Sequence, residues 1–212
     1  MTGIEAVVFD AYGTLFDVNR IPGLPAEAVV TLREKQLQYS WLVSLMGTYR
    51  DFRDLTRAAA EHALARHRVR DASVEQVMEA QLRLPLYPEA RAALDIIGRR
   101  RRLAVLSNGH PESLDALLEA AGVRDRFQQV MSAHEVRVFK PAPAVYRLAP
   151  NRLGLAPERL LFVSANGWDA AGAAAAGLRV AWVNRSGAPR EGIGGEPELV
   201  VPDLAELARR LG

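Results

Sequence analysis

Short apolar runs ending in a polar residue alternate with helical patterns along most of the chain, and that alternation restricts the fold more than any other feature. Ile4-Glu5-Ala6-Val7-Val8-Phe9-Asp10 is a buried-strand pattern that ends in an acid. Arg102–Ser107, Leu160–Ser164 and Val180–Asn184 have the same character, and Gln128–Ser132 is a weaker version of it. Between them lie helical patterns at about 88–100, 111–122, 143–154 and 168–177. Strands and helices alternating at this spacing predict an α/β fold, a doubly wound parallel sheet of Rossmann-like type. The small residues of 170–177 allow their helix to lie close against that sheet.

Residues 15–86 break the alternation. They read as three helices, at about 27–48, 51–68 and 73–83, with no strand among them. Leu32, Tyr39, Leu42 or Val43, and Met46 recur at helical spacing and are expected to face a core. An all-helical insertion after the first strand reads as a cap over the carboxyl edge of the sheet, with Pro85 and Pro88 marking its return. The expected partition is a core of residues 1–14 and 87–212 and a cap domain of residues 15–86. Gly192-Ile193-Gly194-Gly195 does not join a strand to a helix, which argues against a phosphate cradle.

Composition removes several classes of function. There is no cysteine, so disulfides, thiolate metal sites and cysteine nucleophiles are excluded. No apolar stretch has the length of a membrane span, the first residues lack the features of a secretory signal, and a cytoplasmic location is the expectation. A net charge of +2 is too small to suggest a nucleic-acid surface. The run Arg99–Arg102 reads as solvated arginines at a helix C-terminus. His62, His67 and His134 have no metal-ligand spacing and are expected on surfaces. Of the 27 basic residues only Lys35 and Lys140 are lysines, which points to a need for a compact ammonium at 140.

Ligands of open α/β sheets bind beyond the carboxyl ends of the strands. Four polar clusters fall at such places: Asp10-Ala11-Tyr12-Gly13-Thr14, Ser107-Asn108-Gly109, Lys140-Pro141 and Ser164-Ala165-Asn166-Gly167-Trp168-Asp169. Any one of them is explained by ordinary turn chemistry; their combination and order resemble the haloacid dehalogenase superfamily across nearly the whole chain. The stretch Arg33–Leu42, with Ser44–Gly47 and Tyr49–Phe52, resembles the L-2-haloacid dehalogenases in particular. Phosphatases of the superfamily carry a second acid two residues after the nucleophile, where this chain has Tyr12, and another beside the last motif, where it has Ala165 and Asn166. The attacking carboxylate is kept while the metal ligands and the leaving-group acid are lost, which suits departure of halide and implies no metal and no cofactor.

The resemblance implies hydrolytic dehalogenation of small L-2-haloalkanoic acids through an ester on Asp10, with inversion at C2. In that scheme Lys140 orients Asp10, while Thr14, Ser164 and Asn166 hold it and stabilise the oxyanion. Asp169 positions the water, and Arg33 receives the halide, with Asn166 and Phe52 around it. Ser107 and the backbone at Asn108 bind the substrate carboxylate. Tyr12, Leu37, Phe52 and Trp168 form apolar walls, and Tyr146 matches an active-site tyrosine. The implied partners are the 2-haloacid, the halide ion and a second copy of the chain in a homodimer, with neither nucleic acid nor membrane. The chain departs from the family at Glu34, an acid able to draw Arg33 away, at Ala165 in place of serine, and at His110, read as a helix-entry residue or a contact to the substrate carboxylate. Two other readings compete: a magnesium-dependent phosphatase of the same superfamily, and a non-catalytic member that binds a small acid.

Overall fold

The computed structural model describes residues 3–212. Its sheet is built from β1 (Ala6–Phe9), β2 (Arg102–Ser107), β3 (Gln129–Ser132), β4 (Leu160–Ser164), β5 (Arg179–Val183) and β6 (Leu199–Val201). All pairs are parallel and the order is β3-β2-β1-β4-β5-β6. Parallel pairing requires crossovers. The chain supplies α5 (Pro111–Ala120), then α6 (Pro143–Tyr146) with α7 (Leu148–Leu153), and α8 (Gly167–Ala175); α4 (Ala90–Gly98) leads into β2 and α9 (Leu204–Leu211) ends the chain.

Alternate residues of β1 feed two cores. Val7 and Phe9 pack with Leu94, Ile97, Leu114 and Leu207 on one face, and Ala6 and Val8 with Phe139, Tyr146 and Phe162 on the other. Burial on both faces is why these strands read as unbroken apolar runs. Strand order reverses between β1 and β4, so a crevice opens there beyond their carboxyl ends, where Asp10 and Ser164 lie.

Between β1 and α4 the chain forms α1 (Ala26–Leu45), α2 (Phe52–Arg66) and α3 (Val74–Gln81). The inner face of α1 is Val29, Leu32, Gln36, Ser40 and Val43, recurring every three or four residues. Gln36 Nε2 donates to Thr56 Oγ1 of α2 at 3.1 Å, which satisfies a polar pair inside this interface. Asp51 caps α2 through the Arg53 amide, and Ser73 and Gln76 form a capping box on α3.

Several expectations need correcting. Met46 points outward, 63% exposed, although of the pair Leu42 or Val43 it is Val43 that faces the core as expected; Tyr39 is half-buried. The pattern at 143–154 is two short helices, since Pro150 has no amide to donate to the Tyr146 carbonyl. The arginine run is only partly solvated: Arg101 donates to the Leu211 carbonyl at the C-terminus of α9, and Arg102 to the Leu153 carbonyl at 2.9 Å. His134 is half-buried against Tyr49, and His67 bonds the Thr31 hydroxyl at 2.8 Å. The strand β6 gave no sequence signal; three residues long and half exposed, it is too short to show a periodicity. Among the described residues no helix is long and apolar enough to cross a membrane.

Candidate active site

Asp10 follows β1 and is 5% exposed, so its carboxylate depends on protein donors rather than water. Oδ2 accepts from Thr14 Oγ1 at 2.9 Å and from Asn166 Nδ2 at 3.0 Å. Oδ1 accepts from Lys140 Nζ at 3.0 Å. The Thr14 hydroxyl is fixed in direction: it accepts from the Ala165 amide at 2.8 Å and sends its proton to Asp10. Asn166 also donates to the Tyr12 carbonyl at 3.1 Å, so its amide nitrogen faces two acceptors. Gly13 makes the turn between them, at φ 86°, where a side chain would be strained.

Lys140 is 1% exposed and bridges two acids, with Nζ 3.0 Å from Asp10 Oδ1 and 2.9 Å from Asp169 Oδ2. Burial, the largest influence, pulls its pKa down, but the charges and hydrogen bonds of Asp10 and Asp169 together outweigh it and hold the ammonium above its ordinary value. Asp169 is fully buried. Burial pushes its pKa up, against the opposing pull of Lys140 and Tyr146. Tyr146, expected as an active-site tyrosine among the substrate-binding residues, donates to Asp169 Oδ1 at 2.7 Å and reaches the site through that carboxylate. Sequence reasoning missed Gly172, on α8. A Cβ there would lie 2.6 Å from Pro141 Cβ and 2.8 Å from Tyr146 Oη, so only glycine lets these two segments meet. The glycine-alanine run from 170 is the one signal that could have found it, although the contact is to Pro141 and Tyr146 rather than to the sheet.

Ser164 is buried at the end of β4, and its Oγ accepts from the Asn166 amide at 3.2 Å. Among the described residues it makes no hydrogen bond to Asp10, which corrects the expectation that it holds that carboxylate directly; its contact is to the Asn166 loop. Ser107 Oγ accepts from the Gly109 amide at 3.2 Å, and the Asn108 side chain accepts from the Lys140 amide at 2.9 Å. The backbone amides of Tyr12 and Asn108 have no acceptor among the described residues. Gly109 permits this approach of loops, since a Cβ there would meet Tyr12 Cε2 at 2.8 Å.

The helical insertion contributes the other side. Arg33 from α1 donates to the Tyr12 carbonyl at 3.5 Å and forms no ion pair among the described residues. Burial lowers its pKa, and the charges of Asp10, Tyr12 and Asp169 oppose that. Glu34 lies on the exposed side of α1 and does not pair with Arg33, so the feared diversion does not occur. Phe52 is buried against Tyr12, ring centroids 6.3 Å apart, and against Phe139 at 5.7 Å, a contact the sequence did not reveal. Burial pushes the Tyr12 hydroxyl up to about 12, so it stays neutral. Trp168 meets Trp41 of α1 edge to face at 5.4 Å, and Leu37, one turn before Trp41 on α1, is half-buried. A cavity of about 530 Å³ borders Tyr12, Phe52, Thr56 and His110. His110 does stand at the entry to a helix, just before α5, and its ring turns away from the helix end toward Asp51, 3.2 Å away.

A magnesium ion, which other members of this fold family use, needs several oxygen ligands. Among the described residues the site carboxylates are Asp10 and Asp169, already bridged by Lys140, and Asn166 presents a donor to Asp10. These residues do not fit that ion. Alanine in place of serine at 165 leaves the hold on Thr14 intact, because it is the backbone amide of Ala165 that donates to the Thr14 hydroxyl.

Comparison with known proteins agrees with this geometry. A family model for haloacid dehalogenase-like hydrolases matches residues 4–177. The chain is 40% identical to an (S)-2-haloacid dehalogenase of Pseudomonas sp. (strain YL), over 96% of this chain and 93% of that one. It is 38% identical to haloacetate dehalogenase H-2 of Moraxella sp. (strain B), over 95% of each. The structure of L-2-haloacid dehalogenase from Xanthobacter autotrophicus with chloropropionic acid covalently bound superposes with a TM-score of 0.90, at 38% identity and 97% coverage of both chains. The chain therefore belongs to the haloacid dehalogenase-like hydrolases and, among them, to the (S)-2-haloacid dehalogenase family.

Proposed function

We propose that this chain hydrolyses small L-2-haloalkanoic acids to 2-hydroxy acids with inversion at C2, without a metal, through a covalent ester on Asp10. The observation that carries the reading is the unequal use of the two Asp10 oxygens. Each has room for two hydrogen bonds. Oδ2 holds two donors, Thr14 and Asn166, and Oδ1 holds only Lys140. The less occupied Oδ1 attacks C2 from the face opposite the halogen, and the carbon–halogen pair leaves as halide. Halide needs no proton, which agrees with Tyr12 standing where a phosphatase has an acid.

In the ester, Oδ2 becomes the carbonyl oxygen, and its two donors are already in place for the second step. Water attacks the Asp10 carbonyl carbon, passing a proton to Asp169, and the charge that develops on Oδ2 is received by Thr14 and Asn166. The bond from Oδ1 to the carbonyl carbon then breaks, with Lys140 beside the departing alkoxide to supply charge and a proton. Arg33, with free donors and no ion-pair partner among the described residues, suits the halide. Ser107 and the unengaged amides at Tyr12 and Asn108 suit the substrate carboxylate, and Tyr12, Leu37, Phe52 and Trp168 keep water from the first step.

The relative whose structure carries covalently bound chloropropionic acid supports this reading. We assign α1 to α3, residues 15–86, as the cap domain, the rest as the core, and the cytoplasm as the place of action. A second copy of the chain is the assembly partner, favoured by Val30, Leu42 and Leu45 of α1 and by Met46 just after it, whose apolar side chains are exposed. The test is halide release from L-2-chloropropionate and bromoacetate in EDTA. Release without added metal is expected. Loss in EDTA, with phosphate-ester hydrolysis restored by magnesium, would move the chain to the phosphatases.

A further inference from the structure

Outside the Asp10 site, three segments converge on one small cluster. Asp51 caps α2 of the insertion, His110 stands at the N-terminal boundary of α5 after β2, and His134 lies in the turn after β3. Asp51 Oδ2 is 3.2 Å from His110 Nε2 and 3.6 Å from His134 Nδ1, and one donor atom from each of the three lies within 4.8 Å of the others. We propose that Asp51, His110 and His134 form a second site, one that binds a borderline divalent cation such as Zn²⁺ and ties the helical insertion to the sheet.

The distances fit that purpose. Bonds of about 2.0–2.1 Å in a tetrahedral zinc site place ligand atoms roughly 3.3–3.4 Å apart; the two separations from Asp51 bracket this value, and the two imidazole nitrogens lie within 4.8 Å of each other. Both Asp51 separations exceed the about 2.7–2.9 Å of a charge-assisted hydrogen bond. Two imidazoles and one carboxylate suit zinc, nickel or copper better than magnesium. The ligands are held from behind. Asp51 Oδ1 accepts from the Arg53 amide at 2.8 Å, which leaves Oδ2 for the cluster, and the His134 amide donates to Ser132 Oγ at 3.0 Å. The His110 ring is mostly buried, with Nδ1 unpartnered. Tyr49 Oη, 2.9 Å from His134 Nδ1, is hydrogen-bonded to that nitrogen, and an arriving cation takes the Nδ1 lone pair in its place. His134 is exposed enough to give an entry path. Because Asp51 precedes Phe52 and His110 follows Gly109, a bound ion braces two walls of the substrate site without touching Asp10 or Lys140.

The test uses the full chain stripped with EDTA, then dialysed against ZnCl₂ and analysed for metal, with thermal melts in ZnCl₂ and in MgCl₂. About one zinc per chain and a raised Tm in zinc alone are expected, and CoCl₂ should give the visible absorption of a tetrahedral site. Asp51→Asn keeps the helix cap while removing the charge. That variant and His134→Ala should each bind zinc at least about tenfold more weakly, whereas Asp10→Asn should bind it as the parent does. Absence of zinc binding by the parent chain, undiminished binding in both Asp51→Asn and His134→Ala, or its loss in Asp10→Asn would overturn the assignment.

Discussion

Replacing Lys140 with methionine keeps the length of the side chain and removes the one cation shared by Asp10 and Asp169. The two carboxylates are then left facing each other with almost no solvent, since all three groups are nearly or fully buried. Removing one partner of a buried ion pair costs about 3–5 kcal/mol, and for a chain of this size that corresponds to a Tm lower by roughly 6–20 °C. The loss should depend on pH in a defined direction. Lys140 is the leading influence that holds the Asp169 pKa down against burial. Without it that pKa rises further above the value in the unfolded chain, so the folded variant binds a proton more tightly than the unfolded one. Its stability deficit is therefore largest at pH 8 and shrinks as pH falls and Asp169 becomes neutral. Urea unfolding of both proteins at pH 5 and pH 8 measures this. A variant within about 1 kcal/mol of the parent at pH 8, or a deficit equal at the two pH values, would refute the reasoning.

Lys140→Arg keeps the charge but brings a planar guanidinium into a site fitted to an ammonium, and turnover should fall by at least about two orders of magnitude. Lys35→Arg, on a partly exposed lysine that bonds Gln38 at 2.7 Å, should leave turnover unchanged in the same halide-release assay. Asn166→Ala removes one of the two donors to Asp10 Oδ2 and should lower kcat by about 10²–10³, with ester accumulating in rapid-quench mass spectrometry. Tyr146→Phe removes a hydrogen bond that lowers the Asp169 pKa; the acid limb of the kcat–pH profile should move to higher pH, and an unmoved limb would separate Asp169 from the water step.

The strand-ending acids and amides could be read in the sequence because a doubly wound sheet sends every strand's carboxyl end to one edge. Asp10, Lys140, Asn166 and Asp169 do meet there, although they are far apart in the chain. Residues that act through shape were harder to see. Gly172 matters because Pro141 and Tyr146 close upon it, and no periodicity announces a contact between segments so far apart. The His110–Asp51–His134 cluster was missed for the same reason: three loops bring together residues whose spacing resembles no ligand motif. The outward turn of Met46 shows where helical periodicity runs out, since α1 ends at Leu45 and Met46 follows it as the C-cap.

The central claim is that Asp10 itself becomes the ester, and a single turnover in oxygen-18 water tests it most directly. With enzyme in excess over L-2-chloropropionate, the account predicts one solvent oxygen in the Asp10 carboxylate, found by mass spectrometry of the peptide that carries it, and unlabelled oxygen in the first 2-hydroxy acid released. Label in the first product, with an unlabelled Asp10, would mean that water attacks C2 directly, and the covalent account would be wrong.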